Sequence, residues 1–496
     1  MLTSPDSLLK YLTDASDLRL PDGHFIDGAY QAARAGRTMQ SEDPGRGETF
    51  AEFARGDADD IADAVSSSRK AFAVWRKTPP AERGRILART AELIRRNAER
   101  LAITECLDSG KPIAEARGDV SGAARTFEYY AGACDKLEGS SFPLPENYVG
   151  FSQFEPVGVT AHIIPWNFPI STAARGMAPA LAAGCTVVAK PAEQTPFTAL
   201  LLAELLTEAG LPAGVCNVVT GTGTEAGAPL VAHTGIDHVT FTGSVATGGH
   251  VMRACADNVT RSVMELGGKS PVVVLNDCNF DSTVANVAGA IFEHAGQICS
   301  AGSRLVIEVG IHDRFIEALG TKARAISLGH GLRSPDMGPV SSAAQRDKIF
   351  GFLDRARERG AEFISGGQTS PATESGKGYF IEPTIVAARP EDDELVQEEI
   401  FGPVLTVQKA DDADHALHLA NDTRFGLVAG VFTSDFARAH QLARDIDAGQ
   451  VYINEYFAGG IEVPFGGNKQ SGFGREKGIE GLKSYCKIKS IAARID

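Results

Sequence analysis

Cysteine is scarce in this sequence, and no two cysteines stand in a Cys-x-x-Cys arrangement. The 496 residues include eight cysteines, which are Cys106, Cys134, Cys185, Cys216, Cys255, Cys278, Cys299 and Cys486. A secreted disulfide scaffold uses cysteine densely and a zinc cluster uses closely spaced pairs, so both are disfavoured. We therefore expect reduced thiols and a cytoplasmic location.

Basic charge and long apolar runs are also lacking. The chain has 48 Lys and Arg against 63 Asp and Glu, a net charge of −15, so we expect neither nucleic acid nor an anionic membrane as a partner. No apolar run approaches the roughly 18 residues of a spanning helix, and residues 1–20 lack the basic start and apolar core of a signal peptide. His415 and His418 have no third ligand nearby, so we expect no metal site.

Short β-branched runs alternate with longer Ala-rich stretches along the chain. Residues 157–164 and 186–189 are typical of strands, and residues 173–183 between them are typical of a helix. This alternation predicts parallel α/β sheets with crossover helices. We expect two such systems, one before and one after about residue 265, in keeping with roughly 150 residues per domain.

One segment interrupts this alternation. Residues 138–156 place glycines and prolines around apolar positions, which predicts an extended arm. Residues 482–492 alternate apolar and polar side chains, and we expect them to form a strand that pairs with the arm.

Three residues stand in surroundings that suit chemistry. Cys299 lies among small and polar residues, whereas a structural cysteine prefers apolar neighbours, although a lone cysteine is more often a buried filler. Glu265 precedes two glycines and an apolar strand, so its carboxylate could stand in a cleft with a raised pKa, or in a solvated turn. Asn167 lies between two prolines after a predicted strand, where its amide could hold an oxyanion or simply form a turn.

Two glycine arrays are candidates for a nucleotide site. Residues 221–227 read Gly-x-Gly-x-x-x-Gly, which is a weak match to the dinucleotide spacing. Residues 241–248 join a predicted strand to a predicted helix, so the backbone N–H groups of Gly243 and Ser244 could face a pyrophosphate.

Taken together, these motifs resemble the NAD(P)-dependent aldehyde dehydrogenase superfamily, and the likeness covers nearly the whole chain. The motifs occur in the family's order at residues 165–169, 190–193, 241–248, 265–271, 296–304, 398–404 and 464–472. The resemblance implies that Cys299 is the nucleophile and that the Asn167 amide and the Cys299 N–H hold the oxyanion. It implies that Glu265 activates the hydrolytic water, which favours acid formation over acyl transfer to coenzyme A.

The resemblance also implies how the cofactor is held. Lys190 and Glu193 match positions that bind the adenosine ribose, and Glu399 and Phe401 match positions at the nicotinamide ribose. Trp166, Gly243 and Ser244 complete the implied cofactor contacts. Because the Glu193 carboxylate would repel a 2′-phosphate, we predict NAD rather than NADP.

The sequence departs from many relatives near the substrate. It has Arg175 and Gly176 where Trp-Lys is common, and Glu293 where an aromatic residue is common. The implied pocket comprises Phe168, Arg175, Glu293, Ile298, Ser300, Phe457 and Phe465, with Gly122 and Gly459 widening it. Either Arg175 and Glu293 pair with each other or they bind substrate, and we predict an aromatic or polar aldehyde, which includes a semialdehyde whose carboxylate meets Arg175.

The resemblance implies an α/β fold of the aldehyde dehydrogenase type. Its expected parts are a Rossmann-type coenzyme-binding domain (1–132 and 154–265), an α/β catalytic domain (266–479) and a small β oligomerisation arm with the tail (133–153 and 480–496). The arm implies a homodimer or homotetramer. The alternatives to an acid-forming enzyme are a coenzyme A-acylating or esterase-only enzyme, or a catalytically silent binding protein.

Overall fold

The computed structural model describes residues 5–370 and 376–496. Residues 1–4 of the predicted coenzyme-binding segment and residues 371–375 of the predicted catalytic segment lie outside the described residues. The chain folds into α/β layers around two large, mostly parallel sheets, which confirms the predicted α/β class.

The first sheet is built from strands of the N-terminal half and one late strand. In spatial order its strands are Ala29–Gln31, His24–Ile26, Cys216–Val218, Thr186–Pro191, Val159–Ile164, His238–Thr242, Arg261–Glu265 and Gly472–Phe473. The five strands from Cys216–Val218 to Arg261–Glu265 run parallel. Gly472–Phe473 adds an antiparallel edge beside Arg261–Glu265, with Glu265 opposite Gly472.

The second sheet lies in the C-terminal half, as predicted. Its strands in spatial order are Phe363–Ser365, Thr384–Val386, Val404–Ala410, Arg304–Glu308, Pro271–Val274, Val428–Phe432 and Gln450–Ile453. All of these pairings are parallel except the one at the Phe363–Ser365 edge. Pro271–Val274 is buried throughout, as expected for a parallel strand with both faces covered.

The helices cover these sheets. The α-helices are Pro5–Leu8, Ala58–Trp75, Pro80–Arg96, Ala98–Ser109, Ile113–Ala133, Pro169–Ala183, Phe197–Glu208, Ala228–Ala232, Val245–Asp257, Phe280–Phe292, His312–Ala325, Ala343–Glu358, Glu394–Gln397, Ala413–Asn421, Phe436–Asp445 and Gly478–Ser484. Proline at the first helical position starts Pro80–Arg96 and Pro169–Ala183, because its missing N–H is not needed there. Within the described ranges, every helix is too short or too polar to traverse a lipid bilayer.

Three smaller sheets complete the fold. Thr38–Asp43 pairs with Glu48–Ala54, and Phe425–Gly426 pairs with Asn468–Lys469. The third sheet has the order Cys486–Arg494, Tyr148–Pro156, Ser141–Phe142, with antiparallel pairing throughout. The predicted pairing of the tail with residues 138–156 is confirmed. The tail strand begins at Cys486 rather than at Leu482, since Leu482 is fully buried within the last helix.

Candidate active site

The loop that carries Cys299 follows the helix Phe280–Phe292 and depends on two glycines. Gly296 has φ 70°, and a Cβ atom at that position would overlap the carbonyl oxygen of Gly402. A Cβ atom at Gly268 would lie 2.6 Å from the carbonyl oxygen of Cys299. The glycine pair after Glu265 therefore allows the end of the first sheet to approach the loop, which leaves the thiol half-buried.

Cys299 lines two adjoining cavities. The first, which we call the coenzyme-side cavity, has a volume of about 200 Å³. Of the predicted residues it is lined by Trp166, Asn167, Gly243, Ser244, Glu265, Cys299, Glu399 and Phe401. The second, the substrate-side cavity, has a volume of about 250 Å³. Its predicted lining residues are Phe168, Arg175, Glu293, Ile298, Cys299, Ser300, Phe457 and Phe465.

Not every predicted residue reaches these cavities. Gly459 lines the substrate-side cavity, but Gly122 lies on the exposed side of the helix Ile113–Ala133 and does not widen it. Lys190 and Glu193 do not line the coenzyme-side cavity. They pair with each other, with Lys190 Nζ 3.1 Å from Glu193 Oε2. Burial lowers the pKa of Lys190, and Glu193 opposes that shift.

Glu265 is the last residue of the strand Arg261–Glu265 and is only 2% exposed. The expectation of a cleft carboxylate is confirmed, and the solvated turn is wrong. Neither carboxylate oxygen has a hydrogen-bond partner among the residues that the structure describes. Burial raises the pKa of Glu265 well above its ordinary value, and repulsion by Glu476 adds to the rise. A protonatable carboxyl therefore stands beside Cys299.

Asn167 follows the strand Val159–Ile164 and is buried. Its Nδ2 donates to the carbonyl oxygen of Gln297 at 2.8 Å, which ties the amide to the loop of Cys299. An amide nitrogen has two N–H donors, so this bond leaves one for another acceptor.

The thiol of Cys299 is tuned by its neighbours. Burial raises its pKa to about 11, the positive charge of Arg175 lowers it, and Glu265 raises it further. The thiolate is the nucleophilic form of cysteine. Arg175 is thus the cation that favours the reactive form.

Arg175 pairs with Glu476, and not with Glu293 as the sequence had allowed. The distance from the guanidinium to Glu476 Oε2 is 2.6 Å, and the two side chains are 14% and 3% exposed. Two backbone hydrogen bonds of 2.8 Å join Glu476 to Phe465 and so place the carboxylate at the cavity. Glu293 lies beside Asp119, whose negative charge helps to raise the pKa of Glu293 after burial.

Several lining residues escaped the sequence analysis. Among them are Asp119 and Lys477 in the substrate-side cavity and Gln345 and Lys348 in the coenzyme-side cavity. Glu476, which pairs with Arg175 but does not itself line either cavity, was not predicted either. The charged run 475–477, directly after the motif at 464–472, was the available signal for Glu476 and Lys477. Asp119, Gln345 and Lys348 lie within helices and carry no comparable local signal.

The remaining predicted cofactor residues meet at the coenzyme-side cavity. The Glu399 carboxylate accepts from the N–H of Gly268 at 3.0 Å. The rings of Trp166 and Phe401 meet edge to face with centroids 5.3 Å apart. Ser244 is the N-cap of the helix Val245–Asp257, and its side chain accepts a hydrogen bond from the N–H of Thr247. The first-turn N–H groups of such a helix lack partners within the helix.

Comparisons with known proteins agree with this geometry. The sequence matches the aldehyde dehydrogenase family over residues 30–491. It is 40% identical over 472 residues to betaine aldehyde dehydrogenase of Bacillus subtilis (strain 168), with 94% of this chain and 96% of that protein covered.

Solved structures give the same result. A putative aldehyde dehydrogenase from Burkholderia cenocepacia superposes with a TM-score of 0.95 at 41% identity, covering 96% of this chain and 98% of that chain. Indole-3-acetaldehyde dehydrogenase in complex with NAD⁺ superposes with a TM-score of 0.96 at 37% identity, covering 99% of this chain and 100% of that chain. The chain therefore belongs to the aldehyde dehydrogenase family and is an oxidoreductase that acts on the aldehyde group of its substrate.

Proposed function

We propose that this chain oxidises an aldehyde to the carboxylic acid with NAD, through a covalent intermediate on Cys299. The observation that carries the proposal is the position of Cys299, which lines both the coenzyme-side and the substrate-side cavity. A thiol in that position can hold the substrate carbon within reach of the coenzyme. Asn167 and Glu265 line the coenzyme-side cavity together with Cys299. The amide of Asn167 suits the first half of the reaction, and the carboxyl group of Glu265 suits the second.

The first half is nucleophilic attack by Cys299. The thiolate sulfur forms a bond to the carbonyl carbon, and the carbonyl π electrons move to the oxygen. The remaining N–H of the Asn167 amide and the backbone N–H of Cys299 donate to that oxyanion. Arg175 keeps the thiolate accessible by lowering the pKa of Cys299.

The second half is hydrolysis of the acyl group on Cys299. Glu265 accepts a proton from a water molecule, the water oxygen bonds to the acyl carbon, and the carbon–sulfur bond breaks to release the acid and the Cys299 thiolate. The raised pKa of Glu265 suits this role, because raising the pKa of a carboxylate makes it a stronger base towards water. A base at this position favours hydrolysis of the acyl group over its transfer to coenzyme A. It also favours an active enzyme over a protein with a merely structural role.

The cofactor residues fit a dinucleotide. The paired Lys190 and Glu193 offer a donor and an acceptor for ribose hydroxyls. The N–H groups of Ser244 and of the first turn of the helix Val245–Asp257 suit a pyrophosphate, whereas the N–H of Gly243 donates to the carbonyl oxygen of Glu265 at 3.0 Å. Glu399, Phe401 and Trp166 would hold the nicotinamide half. NAD, when bound, supplies the acceptor for the hydride that leaves the substrate carbon. The carboxylate of Glu193 disfavours a 2′-phosphate, so NADP should be the poorer cofactor.

The substrate-side cavity suits an aromatic or polar aldehyde. Phe168, Phe457 and Phe465 supply aromatic walls, and Ile298 and Ser300 flank Cys299. Because Arg175 is already paired with Glu476, it is less available to a semialdehyde carboxylate than an unpaired cation would be.

One assay tests the proposed reaction. A panel of aliphatic, aromatic and carboxylated aldehydes is incubated with NAD or NADP, and reduced cofactor is followed by its absorbance. We expect NAD-dependent formation of acid without coenzyme A. A dependence on coenzyme A, or a kcat/KM for NADP that equals or exceeds that for NAD, would contradict the proposal.

The arm supports a homodimer or a homotetramer. Its strands expose Phe142, Tyr148, Val149, Phe151 and Ile488, and exposed apolar patches mark association sites. We expect light scattering at micromolar concentration to show an oligomer. All eight cysteines are free thiols, which suits a reducing cytoplasm.

A further inference from the structure

Lys477 is a cation in the substrate-side cavity to which the proposed reaction gives no role. It lines this cavity together with Cys299, and its backbone adopts a left-handed φ of 57°. Its Nζ lies 5.2 Å from the ring centroid of Phe465. An aromatic face stabilises an ammonium group but leaves its charge uncompensated.

Lys477 and Arg175 both lie next to Phe465, but only Arg175 is paired with a carboxylate. Arg175 also lies over Phe465, at 5.2 Å, but its charge is met by Glu476 at 2.6 Å. The ammonium group of Lys477 forms no ion pair or hydrogen bond within residues 5–370 and 376–496. Burial lowers its pKa to about 8, so the ammonium form predominates at pH 7. Burial raises the pKa of Glu265 well above its ordinary value, and Glu476 is the carboxylate that forms an ion pair here, with Arg175.

Two acidic residues, Asp119 and Glu293, also line this cavity, but Asp119 is paired and Glu293 is exposed. Asp119 pairs with the buried ammonium of Lys111 at 2.5 Å. Glu293 is exposed and also lines a separate surface groove. The charge of Lys477 is influenced by both Cys299 and Glu265, whereas that of Glu293 is influenced by Asp119 and Lys111. The uncompensated cation is therefore the charge closer to the reaction centre.

We propose that Lys477 determines specificity by binding the carboxylate of an anionic aldehyde whose carbonyl group lies at Cys299. This inference rests on the proposed function, because it assigns the substrate class of the same site. The carboxylate would accept a charge-assisted hydrogen bond from an ammonium group that Phe465 already holds in place.

The test compares Lys477→Met with wild type on three kinds of substrate. They are an ω-carboxylated aldehyde, its uncharged methyl ester, and betaine aldehyde, which carries a positive charge. We expect the variant to lose about 10- to 100-fold in kcat/KM for the carboxylated aldehyde, chiefly through KM. The ester should change by less than about twofold, while betaine aldehyde should become a better substrate.

Two further variants control this experiment. Lys483→Met removes an exposed lysine from the short helix Gly478–Ser484 that follows Lys477, where Lys483 pairs with Glu480 at 2.9 Å, and it should leave all three kcat/KM values unchanged. Lys477→Arg should restore much of the preference for the carboxylated aldehyde. Equal losses for the carboxylated aldehyde and the ester, or no loss for either, would overturn the inference.

A binding measurement separates this inference from the proposed function. If no aldehyde reduces NAD, the proposed function fails, and ligand binding decides the role of Lys477. The dicarboxylic acid product should then still slow alkylation of Cys299 by iodoacetamide in wild type and not in Lys477→Met. Equal protection of both proteins would overturn the inference.

Discussion

The two cavities that meet at Cys299 are built in different ways. The coenzyme-side cavity is lined largely where strands of the first sheet end, by residues such as Gly243 and Glu265. The substrate-side cavity is lined by side chains from segments far apart in the chain, among them Asp119, Phe457 and Lys477. Backbone geometry thus shapes the side that serves the common chemistry, and side-chain charge shapes the side that selects the substrate.

Removing the side chain that the cavities share should have the largest effect. Cys299→Ser should lower kcat by about 10³-fold or more, because a hydroxyl is far less ionised than a thiol. Reduced cofactor is followed by absorbance, and NAD binding by fluorescence titration should be retained. Cys278→Ser, which alters the other half-buried cysteine, should remain active. Substantial turnover in Cys299→Ser would refute the shared role.

A change at the end of the first sheet should separate the two halves of the reaction. Glu265→Gln should lower steady-state kcat by about 10²- to 10³-fold and still give a rapid burst of reduced cofactor in stopped-flow absorbance. In wild type, hydrolysis should rise with pH through the raised pKa of Glu265, since only the carboxylate accepts a proton. An equal loss of burst and steady state would place Glu265 in the first half instead.

A change at the adenosine end should affect the coenzyme and not the aldehyde. Glu193→Ser removes the carboxylate that pairs with Lys190, so the ratio of kcat/KM for NADP to that for NAD should rise about tenfold. The rank order of aldehydes should not change. If that rank order did change, the two cavities would not be independent.

A change at Arg175 in the substrate-side cavity should give the smallest effect. Arg175→Gln should raise the pKa of the Cys299 thiol, which is already raised to about 11 by burial, and so slow iodoacetamide alkylation at pH 8 by about threefold to tenfold. The Kd for NAD should be unchanged. Faster alkylation would show that access to the thiol outweighs the charge of Arg175.

The same contrast explains how far the sequence predicts the structure. The alternation of apolar runs predicts both sheets, because strands buried on both faces need continuous apolar residues. Cys299, Glu265 and Asn167 were predicted because each lies in a local motif.

The pairing of Arg175 with Glu476 could not be predicted in this way. The two residues lie far apart in the sequence. Two backbone hydrogen bonds between Glu476 and Phe465 position Glu476 in the fold. Glu293 precedes Cys299 closely, yet His294 and Ala295 adopt left-handed φ values of 47° and 53° between them. Helical spacing therefore does not describe how Glu293 is oriented towards its neighbours.

The strand Gly472–Phe473 comes from the late part of the chain but closes the edge of the first sheet beside Glu265. Gly472 has φ 116°, and no larger residue fits there because a Cβ atom would overlap the carbonyl oxygen of Met264. The late part of the chain thus supplies an edge strand to the first sheet next to Glu265. Separating the late strand from the first sheet would therefore break its backbone pairing with Met264 and Glu265, directly beside the buried carboxyl group of Glu265.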